Sequence, residues 1–500
     1  MKTYICPRPH DIFVVFATLC PLVGCAHSSP SVISAQTDPA RDAVAVSPAE
    51  PPELTPQIAY QVPTVDQITT VLETIRQRLD TASTPRFIDG RTKREVIDIS
   101  KPMPDLNPDP GPEAKFKPIS YAMGVVHSGM LAAAEATGDP RFSQYTAKWL
   151  QFFADNLPAL SKWPARAIAR PPSPPAADEP SVAQGSSGHH GREPRIENPF
   201  RPLLAPAALD DCGAMTCAMI KARMSNIGPD LKPVIDRAID FVSNSQFRLA
   251  DGTLARQRPV RDSVWADDMY MGVSILAQAG RMTGDTRYYD DAARQVLQIG
   301  QRLYVPNEKL FTHGWNTVNP DDHPTYLWGR ANGWCMMAMA ELLTVMPQDH
   351  ADRTAVLKQF RTLAQGIASV QASDGLWHQM LNRTDSYTET SCSAMFVFAI
   401  ARGVNRGWLD FASYGPVALV GWNGLTARVD AQGHLSGVCA GTTYANDYVY
   451  YYHRPAIDDV HGYGPMLLAG AEIIHLINNP QFRIVKGTGS VSQIQFVPRP

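Results

Sequence analysis

Five hundred residues and 54.8 kDa leave room for two or three average domains, and a hydrophobic share of 44% is ample for a large core. Charged residues make up 19%, below the roughly 25% usual in soluble chains, and 45 basic against 48 acidic side chains leave a net charge of −3. That balance excludes a general nucleic-acid binder, which needs a basic face, and the apolar content excludes disorder of the whole chain.

Lys2 and Arg8 precede an apolar stretch, Ile12 to Leu19, too short to span a bilayer. Leu22-Val23-Gly24-Cys25 follows and resembles the lipobox of bacterial lipoproteins. On that reading residues 1–24 are a signal peptide and the Cys25 thiol carries a lipid. The protein is then expected in the periplasm or at the cell surface, held to the membrane by lipid alone. An ordinary secretory signal with a chance cysteine is the alternative. Residues 25–64, rich in proline, are expected to form a tether, and 65–116 a single helix from about Val65 to Leu79 with an irregular lead-in. The remaining cysteines, Cys212, Cys217, Cys335, Cys392 and Cys439, are odd in number and lack metal-ligand spacing. They are expected to be buried small hydrophobes, with no metal and no cofactor.

From 117 to 480 the pattern is helical: Met269, Gly272, Val273, Leu276 and Ala277 recur at helix spacing, as do Met336, Met339, Leu342 and Leu343. A second proline-dense stretch, 163–206, reads as a mobile surface insertion, and 481–500 as a tail. Thr137-Gly138-Asp139-Pro140 is echoed by Thr283-Gly284-Asp285-Thr286, where glycine suits the end of one helix and aspartate the cap of the next. A second echo comprises Asp251-Gly252, Glu308-Lys309, Asp374-Gly375 and Gln432-Gly433, at intervals of about 60 residues. That interval fits two helices and two loops. The expected fold is therefore all-α: six helical hairpins closed as an (α/α)6 barrel, with an open solenoid as the alternative.

Polar and aromatic clusters mark several junctions: Asp210-Asp211, Trp265-Ala266-Asp267-Asp268, His313-Gly314-Trp315 and Trp328-Gly329-Arg330 through Trp334, with Trp377 and Glu389 later. Aromatic rings beside carboxylates, an arginine and a histidine suit a sugar site, where rings cover pyranose faces and charged groups orient hydroxyls or a uronate. Taken one at a time, each aspartate could merely cap a helix and each tryptophan could be core.

Trp265-x-Asp267-x-Met269-Tyr270-Met271, His313-Gly314-Trp315, Trp328-x-Arg330-x-Asn332-Gly333-Trp334, Asp374-Gly375-Leu376-Trp377 and Glu389-Thr390-Ser391 through Phe396 occur in this order. Together they resemble glycoside hydrolase family 105, the unsaturated rhamnogalacturonyl hydrolases, with the unsaturated glucuronyl hydrolases of family 88 as relatives. The resemblance covers about Lys117 to Asn478 and likewise implies an (α/α)6 barrel. It implies removal of a 4,5-unsaturated uronic acid from oligosaccharides made by polysaccharide lyases, through acid-catalysed hydration of the vinyl ether, with no metal and no covalent intermediate.

Carried over by motif, Asp267 is the acid/base and Asp210 the second essential carboxylate, with Asp211 as its rival. Trp265, His313, Arg330 and Trp334 contact substrate, Trp334 by stacking, and Tyr121 lines the site from the first inner helix. A galacturonyl group on rhamnose is the first expectation. A glucuronyl substrate, or a lipoprotein that binds glycans without turning them over, are the alternatives. A helix N-terminus lowers a carboxyl pKa while a proton donor needs a raised one; the charge of Asp210 and burial against Trp265 are expected to supply the rise.

Overall fold

A computed structural model describes residues 60–164, 196–321, 325–486 and 494–499. The signal, Cys25, most of the tether and most of the proline-rich insertion lie outside the described residues.

The helices follow the periodicity. They are α1 (Val65–Ala82), α2 (Tyr121–Thr137), α3 (Pro140–Leu160), α4 (Leu209–Met224), α5 (Lys232–Asp240) and α6 (Ala266–Thr283), then α7 (Arg287–Leu303), α8 (Gly329–Val345), α9 (Arg353–Ser369), α10 (Thr390–Asn405), α11 (Phe411–Thr426) and α12 (Val460–Ile477). Helices α2, α4, α6, α8, α10 and α12 are buried on nearly every side. Each packs on the next, and α12 packs on α2, so they close a ring. Helices α3, α5, α7, α9 and α11 lie outside it. This is the expected (α/α)6 barrel.

The sixth outer helix is α1. Its Ile68, Leu72, Ile75 and Leu79 form one fully buried stripe that packs on α12, and a Thr64–Gln67 capping box starts it. Glu73 and Asp80 pair with Arg141 and Lys148 on the neighbouring outer helix α3, at 2.9 and 2.6 Å. The helix expected ahead of the barrel is thus part of it, a role hidden by the 38 residues that separate it from α2. Of the 163–206 stretch, residues 163–164 and 196–206 are described. Its described ends are anchored: Trp163 is buried with its indole N–H on the Ile99 carbonyl, and Phe200 packs among Phe87, Phe152 and Phe153. In the tail, the described segments Phe482–Lys486 and Ile494–Pro498 pair as antiparallel strands.

Short antiparallel ribbons punctuate the loops. A three-stranded sheet, β1 (Phe87–Asp89), β2 (Glu95–Val96) and β3 (Leu106–Pro108), follows α1. At the junctions, β4 (Ser263–Trp265) pairs across the chain with a later strand, β5 (Tyr304–Val305) pairs with β6 (Leu310–Phe311), and β7 (Gly314–Asn316) is the partner of β4. Farther on, β8 (Trp377–His378) pairs with β9 (Thr388–Glu389), and β10 (Val438–Cys439) with β11 (Ala456–Ile457). The C-terminal hairpin of β12 (Phe482–Lys486) and β13 (Ile494–Pro498) lies on α11, where Phe482 stacks on Phe411 at 5.1 Å. Strand periodicity could not reveal elements of two or three residues. Both echoes hold: Gly138 and Gly284 end helices in the left-handed region, and the second residue of all four later echoes, including Lys309, has a positive φ. The five described cysteines are free and buried.

Glycines let the inner helices touch backbone to backbone. A Cβ on Gly213 of α4 would meet the Met271 carbonyl oxygen of α6 at 1.9 Å, and one on Gly124 of α2 would meet the Met215 nitrogen of α4 at 2.4 Å. Met271 lies one turn beyond Asp267 and Gly213 one residue short of a turn beyond Asp210, so this contact sets the spacing of those two carboxylates. Gly213→Ala should part α4 from α6, lowering unfolding free energy by at least about 1–3 kcal/mol and activity with it. Denaturant unfolding checks this, and a fully stable, fully active variant would contradict it.

Candidate active site

All six inner helices begin at the same end of the barrel, and the expected site residues sit in their first turns: Tyr121 opens α2, Asp210 is second in α4, Asp267 second in α6 and Arg330 second in α8. There a cleft of about 200 Å³ is lined by Tyr121, Asp210, Trp265, Asp267 and Arg330, together with Arg256.

The β4–β7 ribbon places the acid. Trp265 pairs with Gly314, and the Ala266 N–H reaches the His313 carbonyl at 2.9 Å, which brings the His313 ring beside Asp267. His313 is fully buried. Its Nε2 lies 3.0 Å from Asp267 Oδ2 and its Nδ1 2.5 Å from the Tyr451 hydroxyl. Tyr451 also accepts the Ala445 N–H at 3.2 Å, and Nε2–H of His313 donates to the Asp267 carboxylate. His313 therefore acts behind Asp267 and does not line the cleft.

Burial raises the Asp267 carboxyl, but the His313 hydrogen bond and the charges of His313, Arg256 and Arg330 outweigh it and hold the group below the ordinary carboxylate range. The expected rise is thus absent from the unliganded site. Asp210 cannot supply it, because both its oxygens receive Arg256 N–H groups at 3.0 Å.

Arg256 was not singled out in the sequence, and it orders the site. It also grips Asp268, with contacts of 2.6 to 3.0 Å, and stands 4.2 Å over the Trp265 ring. Asp268 is sealed from solvent, and burial lifts its carboxyl to about 6 in spite of that partner. Asp211 turns away to a two-pronged pair with Arg201 at 2.9 Å. Within each aspartate pair, then, one member faces the cleft and its neighbour holds the scaffold: Asp210 before Asp211, and Asp267 before Asp268.

Arg330 lines the cleft, but its Nη1 and Nη2 donate to the Cys439 and Ala440 carbonyls at 2.5 and 3.0 Å, and it lies 4.7 Å over Trp328. It fixes the loop that carries Thr442 and Thr443 along the cleft wall. Trp334 departs from expectation: it is 1% exposed, 5.1 Å from Tyr270 and edge-on to Tyr121, and it props Tyr121 from beneath without reaching the cleft. Trp377 is core, and Trp315 sits behind the ribbon beneath Arg302, in a separate hollow. Glu389 caps α10, accepting the Ser391 and Cys392 N–H groups. Also unread in the sequence were Tyr451 and the Asp459–His461 pair at the start of α12. The last had a usable signal, since it repeats the polar opening of the other inner helices.

Arg256→Met would strand Asp268 as an unpaired buried charge, so it should cost about 3–5 kcal/mol of stability. Arg256→Lys should recover only part, because one ammonium cannot span two carboxylates. Denaturant unfolding of both variants measures this.

An unsaturated 3S-rhamnoglycuronyl hydrolase of Formosa agariphila is 30% identical over 227 residues, 42% of this chain and 58% of that protein. The unsaturated rhamnogalacturonyl hydrolase YesR of Bacillus subtilis is 27% identical over 208 residues, 41% of this chain and 58% of that protein. The matches thus span little more than half the length of these two relatives. Among solved structures, a possible member of family 105 from Salmonella enterica superposes with a TM-score of 0.62 at 18% identity, covering 83% of this chain and 95% of that one. The unsaturated glucuronyl hydrolase of Bacillus sp. GL1 gives 0.51 at 15%, covering 83% and 96%. These two support the fold. The sequence profile of Glycosyl Hydrolase Family 88 matches residues 98–477, which spans every cleft residue described above, and this chain belongs to that family.

Proposed function

We propose that the protein removes a 4,5-unsaturated uronic acid from the end of lyase-generated oligosaccharides, with Asp267 delivering a proton to the vinyl ether. The observation that carries this is the contrast among the aspartates: Asp267 faces a water-accessible cleft, backed by His313, while Asp210, Asp211 and Asp268 are each tied up by an arginine. At about 200 Å³ the cleft is smaller than drug-sized pockets and suits one sugar ring. Trp265 and Tyr121 flank it.

Bound there, the unsaturated uronate places C4 of its enol ether against Asp267. Protonation at C4 moves positive charge to C5 and the ring oxygen, and water adds at C5. The resulting hemiketal opens and expels the neighbouring sugar. Asp267, now a carboxylate, takes the proton from the water and is restored, so one group serves as acid and base. Asp210 holds Arg256 against Trp265 and keeps the wall of the cleft in place.

The low resting pKa of Asp267 fits this chemistry if the substrate's own carboxylate raises it on binding. Relatives named for unsaturated rhamnogalacturonyl and 3S-rhamnoglycuronyl substrates support an unsaturated galacturonyl or glucuronyl group next to rhamnose, and the galacturonyl form is the reading adopted. The Leu22–Cys25 motif completes the proposal with a lipid-anchored protein at the periplasm or cell surface.

Incubation with lyase products should abolish the ultraviolet absorbance of the conjugated acid; persistent absorbance across a panel of galacturonyl and glucuronyl products would leave a binding protein instead. Asp267→Asn should lower turnover by about 10²–10⁴-fold. The proton-bearing form of free Asp267 declines as pH rises above its depressed pKa, so kcat/KM should fall from the acid side upward. The basic limb of kcat, which reports the bound state, should lie at higher pH. Coincident limbs would count against substrate-induced protonation. Cys25→Ser should move the protein from the membrane to the soluble fraction of expressing cells, as fractionation would read.

A further inference from the structure

Across the cleft from Asp267 runs a second hydrogen-bonded chain, Asp459–His461–Tyr121. Asp459 caps α12: it accepts the His461 N–H at 3.0 Å and also pairs with Nδ1 of the same ring. Burial raises the Asp459 carboxyl, but the hydrogen bonds from His461 and the charge of Arg330 help to hold it below the ordinary carboxylate range, so Asp459 accepts the Nδ1 proton. Nε2, the other ring nitrogen, is then the acceptor, and it lies 2.6 Å from the Tyr121 hydroxyl. The phenol proton therefore points at His461. Only the oxygen lone pairs of Tyr121 remain for the cleft, and they can accept but not donate.

The direction of this chain matters because acceptors are scarce. Both Asp210 oxygens receive Arg256, and Asp267 is occupied with proton transfer. Burial and the charge of Asp210 push the Tyr121 phenol up, so it stays protonated and is no base. Trp334, edge-on at 6.2 Å, fixes its ring.

We propose that Asp459 and His461 are positioning residues that hold the Tyr121 oxygen as a fixed acceptor for the water that adds to the substrate. This rests on the hydration chemistry above. In the step, the C4–C5 double-bond pair takes the Asp267 proton at C4, the water oxygen bonds to C5, and one water proton returns to Asp267. The other stays on the new hydroxyl, hydrogen-bonded to Tyr121. His461 touches neither sugar nor water.

The test uses His461→Leu, His461→Gln, Tyr121→Phe and the double variant Tyr121→Phe/His461→Leu, with kcat and KM read from loss of absorbance and folding from thermal melts. His461→Leu should lower kcat by about 10–100-fold with KM little changed. His461→Gln, whose amide oxygen can take the Nε2 place, should recover part of that. Tyr121→Phe should match His461→Leu, and the double variant should lose no more than either. Wild-type kcat in His461→Leu, a loss confined to KM, or additive losses in the double variant would overturn the proposal. If His461→Leu melts early, Tyr121→Phe against His461→Gln decides: a loss in the first with partial activity in the second supports the proposal, and full activity in Tyr121→Phe overturns it. A wild-type protein that bleaches no substrate would instead overturn the hydration reading itself.

Discussion

Six helix N-termini gathered at one end of the barrel, four of them lining one small cleft, impose the electrostatics of this protein. Each brings unpaired N–H groups and a partial positive charge, worth about 0.3–1 kcal/mol to a nearby anion. Anions accordingly gather at these openings: Asp210, Asp211, Asp267, Asp268, Glu389 and Asp459 all lie in first turns or caps. At Asp267 the same field adds to His313, Arg256 and Arg330, which hold the carboxyl below its ordinary range. At the far end, where the helices finish, Lys221, Arg281, Arg402 and Arg406 line a cavity of about 710 Å³, the complement expected where helix C-termini converge. Buried Glu341 lies among them, with Lys221 at 2.7 Å.

Concentrating carboxylates this way works only if they are kept apart in role. Arg256 and Arg201 do that sorting. Each takes a two-pronged grip on one aspartate, and Arg256 holds a second that is sealed from water. What remains is Asp267, whose side-chain hydrogen-bond partner among the described residues is the His313 imidazole, fixed in turn by Tyr451. The histidine supplies orientation, and the two arginines supply isolation.

Much of this was legible in the sequence, for identifiable reasons. Helices have a period, so the inner ring showed through Met269 to Ala277 and Met336 to Leu343. Helix ends have a grammar, so the left-handed turns at Gly138, Gly284 and the four later echoes could be placed. Asp267, Asp210, Trp265, Arg330 and Tyr121 came together because motif and junction coincided. Contacts over long separations left no local trace. Nothing around Arg256 marks it as the partner of Asp210, 46 residues away. Nothing near Asp210-Asp211 or Asp267-Asp268 tells which member faces inward. Trp334 was misplaced because a tryptophan in the first turns of an inner helix can point either into the cleft or beneath it, and the motif is the same in both cases.

The closure of the barrel by α1 bears on how the molecule is made. The stripe of Ile68, Leu72, Ile75 and Leu79 has its partner on α12, nearly four hundred residues later, where Leu72 sits against Gly470 and Trp422. A nascent chain emerging N-terminus first therefore carries an unsatisfied amphipathic segment through almost the whole of its synthesis. The ring can be sealed only when the last strap of the barrel appears.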